Sequence, residues 1–187
     1  MVGANRVRII GGQWRRRWLA FPPAPGLRPT PDRVRETVFN WLGQDLGGHN
    51  CLDLFAGSGA FGIESLSRGA AHVTLVERHP AVAAALRANI DALGGRENAA
   101  VQQIDVLEFL RLRNERRGLL FDVVYCDPPF GSGLLEAVLP LLPALLASGA
   151  YVYLEGERLP DLTAQWSTWR EGHAGQVRFQ LIQRHDD

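Results

Sequence analysis

Residues 51–62 read CLDLFAGSGAFG: an apolar strand, a glycine-rich turn and the start of a helix follow one another without interruption. Gly57, Gly59 and Gly62 fill the pattern G-x-G-x-x-G, in which glycines let the backbone turn tightly and approach a ligand at a helix N-terminus. Outward from this turn the alternation continues. Strands are expected at Cys51–Phe55, His72–Glu77, Ala100–Ile104, Phe121–Cys126 and Ala150–Glu155, with helices between them over Gly59–Arg68, Pro80–Leu93, Val106–Arg113 and Leu134–Ala147. Short apolar strands separated by helices imply a parallel sheet covered on both faces. Trp166–Glu171 and Gln176–Gln183 read as two last strands joined by a Gly-containing turn, a pair able to close the sheet antiparallel. Ligands of such sheets bind in the crevice at the carboxyl ends of the strands.

The chain before this region differs. Val7–Ile10 and Trp14–Phe21 are β-prone runs around Gly11-Gly12 and predict a hairpin. Pro22, Pro23, Pro25, Gly26 and Pro29 enforce an extended connection. Thr30 is placed to cap a helix with Pro31 at its first position, and that helix, to about Leu42, sets Val34, Val38, Trp41 and Leu42 on one side, with Arg33 and Arg35 outside the apolar set. The natural division is a basic hairpin and linker helix over 1–43 and an α/β domain over 44–187.

Charge supports that division. The 187 residues carry no net charge, and all 20 basic residues are arginine. Residues 1–40 hold eight arginines and two acids, a net of +6; the rest holds 12 arginines and 18 acids, a net of −6. A basic arm on an acidic body suits a polyanionic partner, and the arginine fork grips phosphate or stacks on a base. At 46% hydrophobic the chain can bury a core, so wholesale disorder is excluded. The most apolar stretch, Leu134–Ala147, is broken by Glu136, Pro140 and Pro143 and is too short to span a bilayer. With no secretory leader pattern and only Cys51 and Cys126, too few for a disulfide framework or a four-ligand zinc site, a cytoplasmic protein without a metal is expected.

The glycine pattern alone admits a nicotinamide dinucleotide and hence an oxidoreductase. Asp53, four residues before Gly57 at the strand end, argues against it, because a carboxylate there repels a pyrophosphate at low effective dielectric. It favours a ligand with an ammonium and a sulfonium, which is S-adenosylmethionine. Glu77 ends the next strand 20 residues after Gly57 and suits the ribose hydroxyls. Asp105 follows the third strand and can accept from the adenine amine. The plainer readings are that Asp53 holds the loop, that Glu77 is a surface acid, and that Asp105 caps a helix. Cys51 reads as core.

Asp127-Pro128-Pro129-Phe130 follows the fourth strand. Two prolines remove two donors and fix two φ angles, leaving a rigid turn whose carbonyls can face the crevice. The Asp127 carboxylate and the Pro128 carbonyl can accept the two hydrogens of a planar NH₂, and the Phe130 ring can stack on the base. A base amine is a poor nucleophile because its lone pair is delocalised. Two acceptors drawing on its hydrogens localise that pair for attack on a sulfonium methyl, with orientation and desolvation supplying much of the acceleration. Asp127 can accept the departing proton; Cys126, one residue earlier, should point away.

Together these residues resemble class I S-adenosylmethionine-dependent methyltransferases acting on base amines. RIIGGQWR over 8–15, PGLRPTPDRVRE over 25–36 followed by FNWL, and LFAGSGA over 54–60 are similar to the bacterial RsmD family, which methylates N2 of a guanine in 16S ribosomal RNA. The resemblance runs on to AGQV over 174–177. It implies a Rossmann-like class I methyltransferase fold: a mostly parallel seven-stranded sheet with an antiparallel final strand, and an N-terminal β-hairpin extension. It also implies that Asp53, Phe55, Gly57 and Gly59 hold the methionine moiety, Glu77 the ribose and Asp105 the adenine, with Ala56, Ser58, Arg78 and Val106 beside them. Asp127, Pro128, Pro129 and Phe130 would hold the guanine. Arg8, Trp14, Arg15, Arg16, Arg17, Arg28, Thr30, Arg33 and Arg35 would serve the RNA. The implied partner is small-subunit ribosomal RNA, within an assembly intermediate, with the target base splayed or flipped out; no membrane is involved. An adenine-N6 methyltransferase, an NAD-dependent oxidoreductase and a non-catalytic RNA-binding factor are the competing readings.

Overall fold

The computed structural model describes residues 5–116 and 118–185. Strands β1 (Asn5–Arg8) and β2 (Trp18–Phe21) pair antiparallel, with Arg8 opposite Trp18. Their period of two buries Val7, Leu19 and Phe21 and leaves Arg6, Arg8 and Trp18 on the outer face. The hairpin does not turn tightly at Gly11-Gly12, and Trp14–Arg17 are not strand as expected. Residues 9–17 form a loop, because its amides find partners on the following domain: Gln13 N donates to the Ser67 carbonyl (2.7 Å) and Trp14 N to Ser67 Oγ (3.0 Å). Gly12, at φ +70°, lies so close to the Ser67 carbonyl that a Cβ there would sit 1.8 Å from its oxygen. The contact requires glycine.

Helix α1 (Asp32–Leu42) follows and ends at Gly43 in the left-handed conformation, φ 96°. Its N-cap is Pro31, without a side-chain cap. Thr30 is therefore not the cap, and its hydroxyl is used elsewhere. Val34 and Val38 are buried as expected, but so are Phe39 and Arg35.

The α/β body then runs β3 (Asn50–Asp53), α2 (Gly62–Ser67), β4 (His72–Val76), α3 (Pro80–Leu93), β5 (Ala99–Gln102), α4 (Val106–Glu115), β6 (Phe121–Cys126), α5 (Leu134–Val138), β7 (Leu146–Gly156), β8 (Trp166–Ala174) and β9 (Val177–Arg184). The seven strands β3–β9 form one sheet in the order β5-β4-β3-β6-β7-β9-β8. Six run in the same direction; β9 inserts antiparallel between β7 and β8. The fold is the expected Rossmann-like methyltransferase fold. The helix expected over Leu134–Ala147 is only five residues long. Pro140 and Pro143 cannot continue it, so two 3₁₀ turns, Leu139–Leu141 and Pro143–Leu145, lead into β7.

Alternation along the strands feeds two cores. Cys51, Val73, Leu75, Val123, Tyr125 and Tyr153 face α1, α2, α3 and the hairpin. Leu52, Val76, Val124, Cys126, Val152 and Leu154 face α4 and α5. The hairpin's Val7, Ile9, Leu19 and Phe21 belong to the first core, so the N-terminal arm packs on the body through the same apolar layer.

A buried charge network fixes the arm's position. Glu64 of α2 is fully buried, and its carboxylate accepts from the amides of Ile10 (2.9 Å) and Gly11 (2.6 Å), from Arg35 Nη1 (3.3 Å) and from Arg68 Nε (3.0 Å). Arg35, 1% exposed, also donates to the carbonyls of Arg8 and Thr30 and to Asp32. Removing one partner of such a network leaves uncompensated buried charge. Glu64→Ala is expected to lose about 3–5 kcal/mol in urea unfolding. A loss below about 1 kcal/mol, the range of an exposed pair, would show that the network does not anchor the arm.

Candidate active site

Between β3 and β6 the sheet reverses its direction of growth: the chain leaves β3 toward β4 and β5, then returns to β3's other side as β6. That switch point opens a crevice at the strands' carboxyl ends. Asp53 ends β3 there, buried, with Oδ2 accepting from Gly62 N (2.9 Å). Burial pushes its carboxyl up to about 7; the amides of Gly62 and Phe55 oppose the rise, and the negative charge of Glu77 adds to it.

The three loop glycines have separate reasons. Gly57 and Gly59 adopt φ of +48° and +81°, and a Cβ on Gly62 would meet Leu75 Cδ2 at 2.7 Å. The left-handed turn at Gly59 delays α2, expected from Gly59, until Gly62. Ala56 and Ser58 are buried within the loop and Phe55 is half-buried. Glu77 closes the loop from β4's end: Oε2 accepts from Gly57 N (3.1 Å) and Oε1 from His79 N (2.7 Å). Arg78 is exposed. Asp105 acts as the N-cap of α4, its Oδ1 accepting from Leu107 N (2.9 Å) and Glu108 N (3.4 Å), while Val106 is buried in the second core.

The turn after β6 holds the second half of the site. Thr30 Oγ1 donates to Asp127 Oδ2 (2.9 Å) and lies 3.4 Å from Glu155 Oε2, which also accepts from Tyr153 Oη (2.6 Å). Burial raises the Asp127 carboxyl well above the carboxylate range, and the Glu155 charge raises it further. Burial raises Glu155 too. Pro128 is buried, Pro129 is exposed, and Phe130 stands 48% exposed at the rim. The proline-rich linker passes above both halves. A Cβ on Gly26 would lie 3.6 Å from Pro129, and one on Gly57 would lie 2.6 Å from Leu27. Cys126 points into the opposite core, and burial pushes the Cys51 thiol up to about 12; neither is a nucleophile.

The crevice thus gathers Asp53, Gly57, Glu77 and Asp127. It does not gather every residue expected at an RNA surface. Arg35 is enclosed by Glu64, Asp32 and two carbonyls and is unavailable to a polyanion. Thr30 is buried against Asp127. Trp14 packs its ring on Gly95, where a Cβ would meet Cη2 at 2.8 Å. Burial corrects the expectation for Arg35 and Thr30, whereas Trp14 is only partly buried. Arg15, Arg16, Arg17, Arg28 and Arg33 are exposed, as is Arg8, which pairs with Asp32 at 3.0 Å. The loop bearing Arg15–Arg17 docks at the carboxyl end of α2, the end away from the crevice. Sequence reasoning missed Glu155 and Trp18. Glu155 closes an apolar strand without a motif, whereas Trp18, 59% exposed, follows from its pairing opposite Arg8.

Residues 7–183 match the family described as Conserved hypothetical protein 95. The ribosomal RNA small subunit methyltransferase D of Escherichia coli K12 is 48% identical, over 97% of this chain and 92% of its own length. The chain belongs to the RsmD family. Its counterpart in Haemophilus influenzae is 42% identical over 96% of this chain and 94% of that protein. A solved structure, a putative methyltransferase yhhF from Escherichia coli, superposes with a TM-score of 0.85 at 44% identity, covering 96% of this chain and 98% of that one. A putative methylase from Haemophilus influenzae gives 0.81 at 38% identity, covering 97% and 100%. Its relatives are named methyltransferases, and the fold is shared with a putative S-adenosylmethionine-dependent methyltransferase from Streptococcus mutans. The site fits S-adenosylmethionine: Asp53 is a buried acceptor at the strand end, and among the described residues no cationic side chain is bonded to it.

A cationic ligand beside Asp53 requires the ionised carboxylate. Because burial holds this group near 7, affinity for S-adenosylhomocysteine, which keeps the ammonium, should fall as pH drops from about 8 to about 5, approaching about tenfold per unit. Titration calorimetry should show that slope in the native protein and a flat profile in Asp53→Asn. Equal slopes would place the ammonium elsewhere. By the same linkage, a raised carboxyl stabilises the fold below its unfolded value of 3.8, and that contribution is lost as pH rises through about 7.

Proposed function

We propose that this methyltransferase modifies the exocyclic N2 amine of a guanine in small-subunit ribosomal RNA, within a ribosomal assembly intermediate. The observation that carries the reading is the Asp127-Pro128-Pro129-Phe130 turn beside the Asp53 loop, in a chain 48% identical to a ribosomal RNA small subunit methyltransferase. Asp53 and the loop around Phe55, Ala56, Gly57, Ser58 and Gly59 would hold the methionine end of the cofactor, Glu77 with Arg78 the ribose side, and the free Asp105 oxygen with Val106 the adenine. When bound, S-adenosylmethionine supplies an electrophilic methyl group.

The protein's own part is orientation and proton acceptance. Asp127 and the Pro128 carbonyl accept the N2 hydrogens and so localise the nitrogen lone pair. Asp127 would take the N2 proton that the amine gives up as the methyl's bond to the sulfonium sulfur breaks and its bond to nitrogen forms. Burial and Glu155 disfavour the empty-site Asp127 carboxylate; N–H donors from a base reverse that preference, so the carboxylate forms where the substrate needs it. Phe130 offers an exposed ring for stacking, and the linker over Gly26 and Leu27 shields the reacting atoms from water.

On the outer surface, Arg28 and Arg33 flank the crevice through the linker and α1, while Arg6, Arg8 and Trp18 form an arginine–tryptophan face on the hairpin. Arg15–Arg17 lie at the distal end, so RNA must run along the hairpin to reach them.

Labelled S-adenosylmethionine with unmethylated small-subunit RNA, or particles assembled on it, should yield N2-methylguanine on nucleoside analysis. Asp127→Ala should reduce the rate by about 10³-fold or more with cofactor affinity nearly unchanged; equal loss of both would assign Asp127 to the cofactor. Replacing Arg15, Arg16 and Arg17 together by alanine should weaken RNA binding and lower the slope of log K against log salt by about 2 to 3. An unchanged slope would remove the hairpin tip from the RNA path.

A further inference from the structure

Guanine presents adjacent donors on one edge: the two N2 hydrogens and N1–H. Adenine beside its own amine presents a bare N1 acceptor instead. An enzyme that methylates N2 therefore gains selectivity from a second acceptor next to the one that takes the amine. The sheet places such a group. Tyr125 pairs with Tyr153 and Cys126 with Leu154, so the next residues, Asp127 and Glu155, stand opposite one another on neighbouring parallel strands. Strands in a ladder are about 4.8 Å apart. By alternation both side chains leave the sheet face that carries Tyr125 and Tyr153, which is also the face of Asp53.

The hydrogen bonds around this pair have a consistent direction. Thr30 Oγ1 reaches Asp127 Oδ2, and Thr30 Oγ1 and Tyr153 Oη both reach Glu155 Oε2. Among the described residues, no hydrogen bond falls on Asp127 Oδ1 or Glu155 Oε1. Glu155 is 4% exposed, and among the described residues no arginine pairs with it. Glu155 Oε2 faces the Tyr153 and Thr30 hydroxyls, which leaves Oε1 able to accept from a donor that arrives. Thr30 has a single hydroxyl proton and two carboxyls within reach, so it holds the pair apart in a fixed orientation without satisfying both.

We propose that Glu155 reads the N1–H of the target guanine while Asp127 takes the N2 amine, and that Thr30 and Tyr153 position Glu155 for this. Glu155 is thus a specificity-determining residue, and Thr30 and Tyr153 are positioning residues. The inference rests on the guanine-N2 reading above.

The probe is RNA carrying either guanine or 2-aminopurine at the modified position. 2-Aminopurine keeps the N2 amine but has a bare N1. Wild-type protein should prefer guanine by about 100-fold or more in kcat/KM. Glu155→Gln can turn its amide NH₂ toward N1, so it should lose activity on guanine and narrow the preference to about tenfold or less, with S-adenosylhomocysteine affinity unchanged. Glu155→Asp, which keeps the carboxylate, should retain the preference at a reduced rate. If Glu155→Gln lowers transfer to both bases equally, its role is structural and the inference fails while the guanine-N2 reading stands. Equal use of both bases by wild-type protein also overturns it. If wild-type protein transfers no methyl to guanine, the functional reading itself falls.

Discussion

The buried carboxylate of Glu64 is the contact on which the rest of the molecule depends. It takes two guanidiniums and two backbone amides, and these come from three separate parts of the chain: the hairpin, α1 and α2. Arg35 carries the constraint onward, because its Nε holds the Thr30 carbonyl (3.2 Å) while the Thr30 hydroxyl holds Asp127. A line of hydrogen bonds therefore runs from the helix that follows the glycine loop, through the basic arm, to the carboxylate of Asp127. Reactive groups hold their geometry when a supporting layer is itself locked. Here the support is ionic and buried, so it is sensitive to the loss of any one partner.

At the crevice the electrostatics run the other way. Asp53, Asp127 and Glu155 crowd onto one sheet face, and among the described residues their hydrogen-bond partners are amides and hydroxyls with no cationic side chain. Each carboxyl is held above its ordinary range by burial, and the negative charges of Glu77 on Asp53 and of Glu155 on Asp127 add to it. Such a site is unfavourable empty. On the proposed function, it becomes favourable when a positive cofactor and the N–H donors of a base enter together, which would couple binding of the two ligands through shared charge. Arg15, Arg16, Arg17, Arg28 and Arg33 are exposed and do not neutralise the acceptors.

Much of this was legible in the chain itself. The glycine loop, Asp53, Glu77 and the Asp127-Pro128-Pro129-Phe130 turn are contiguous or evenly spaced, and their backbone demands are local. Strand β6 and helix α3 fall where periodicity places them. The errors have local physical causes as well. Leu134–Ala147 has helical composition, but Pro140 and Pro143 override it. Thr30 looks like a cap because Thr-Pro before an amphipathic run usually is one, and the competing acceptor is 97 residues away. Arg35 reads as surface because its compensating carboxylate, Glu64, lies on a different helix. Trp14 and Trp18 are indistinguishable in composition, yet one packs on Gly95 and the other faces outward.

What the sequence alone determined was the fold class and the places of the glycine loop and the Asp-Pro-Pro-Phe turn in it, since each follows from local backbone geometry and from the two- and 3.6-residue periods. Tertiary structure decided which charges are buried and which carboxyl stands beside which. Asp127 and Glu155 are neighbours only because β6 and β7 pair in one particular register. A charge changes character from solvated to structural when a partner distant in sequence removes water from it, and no local pattern encodes that partner.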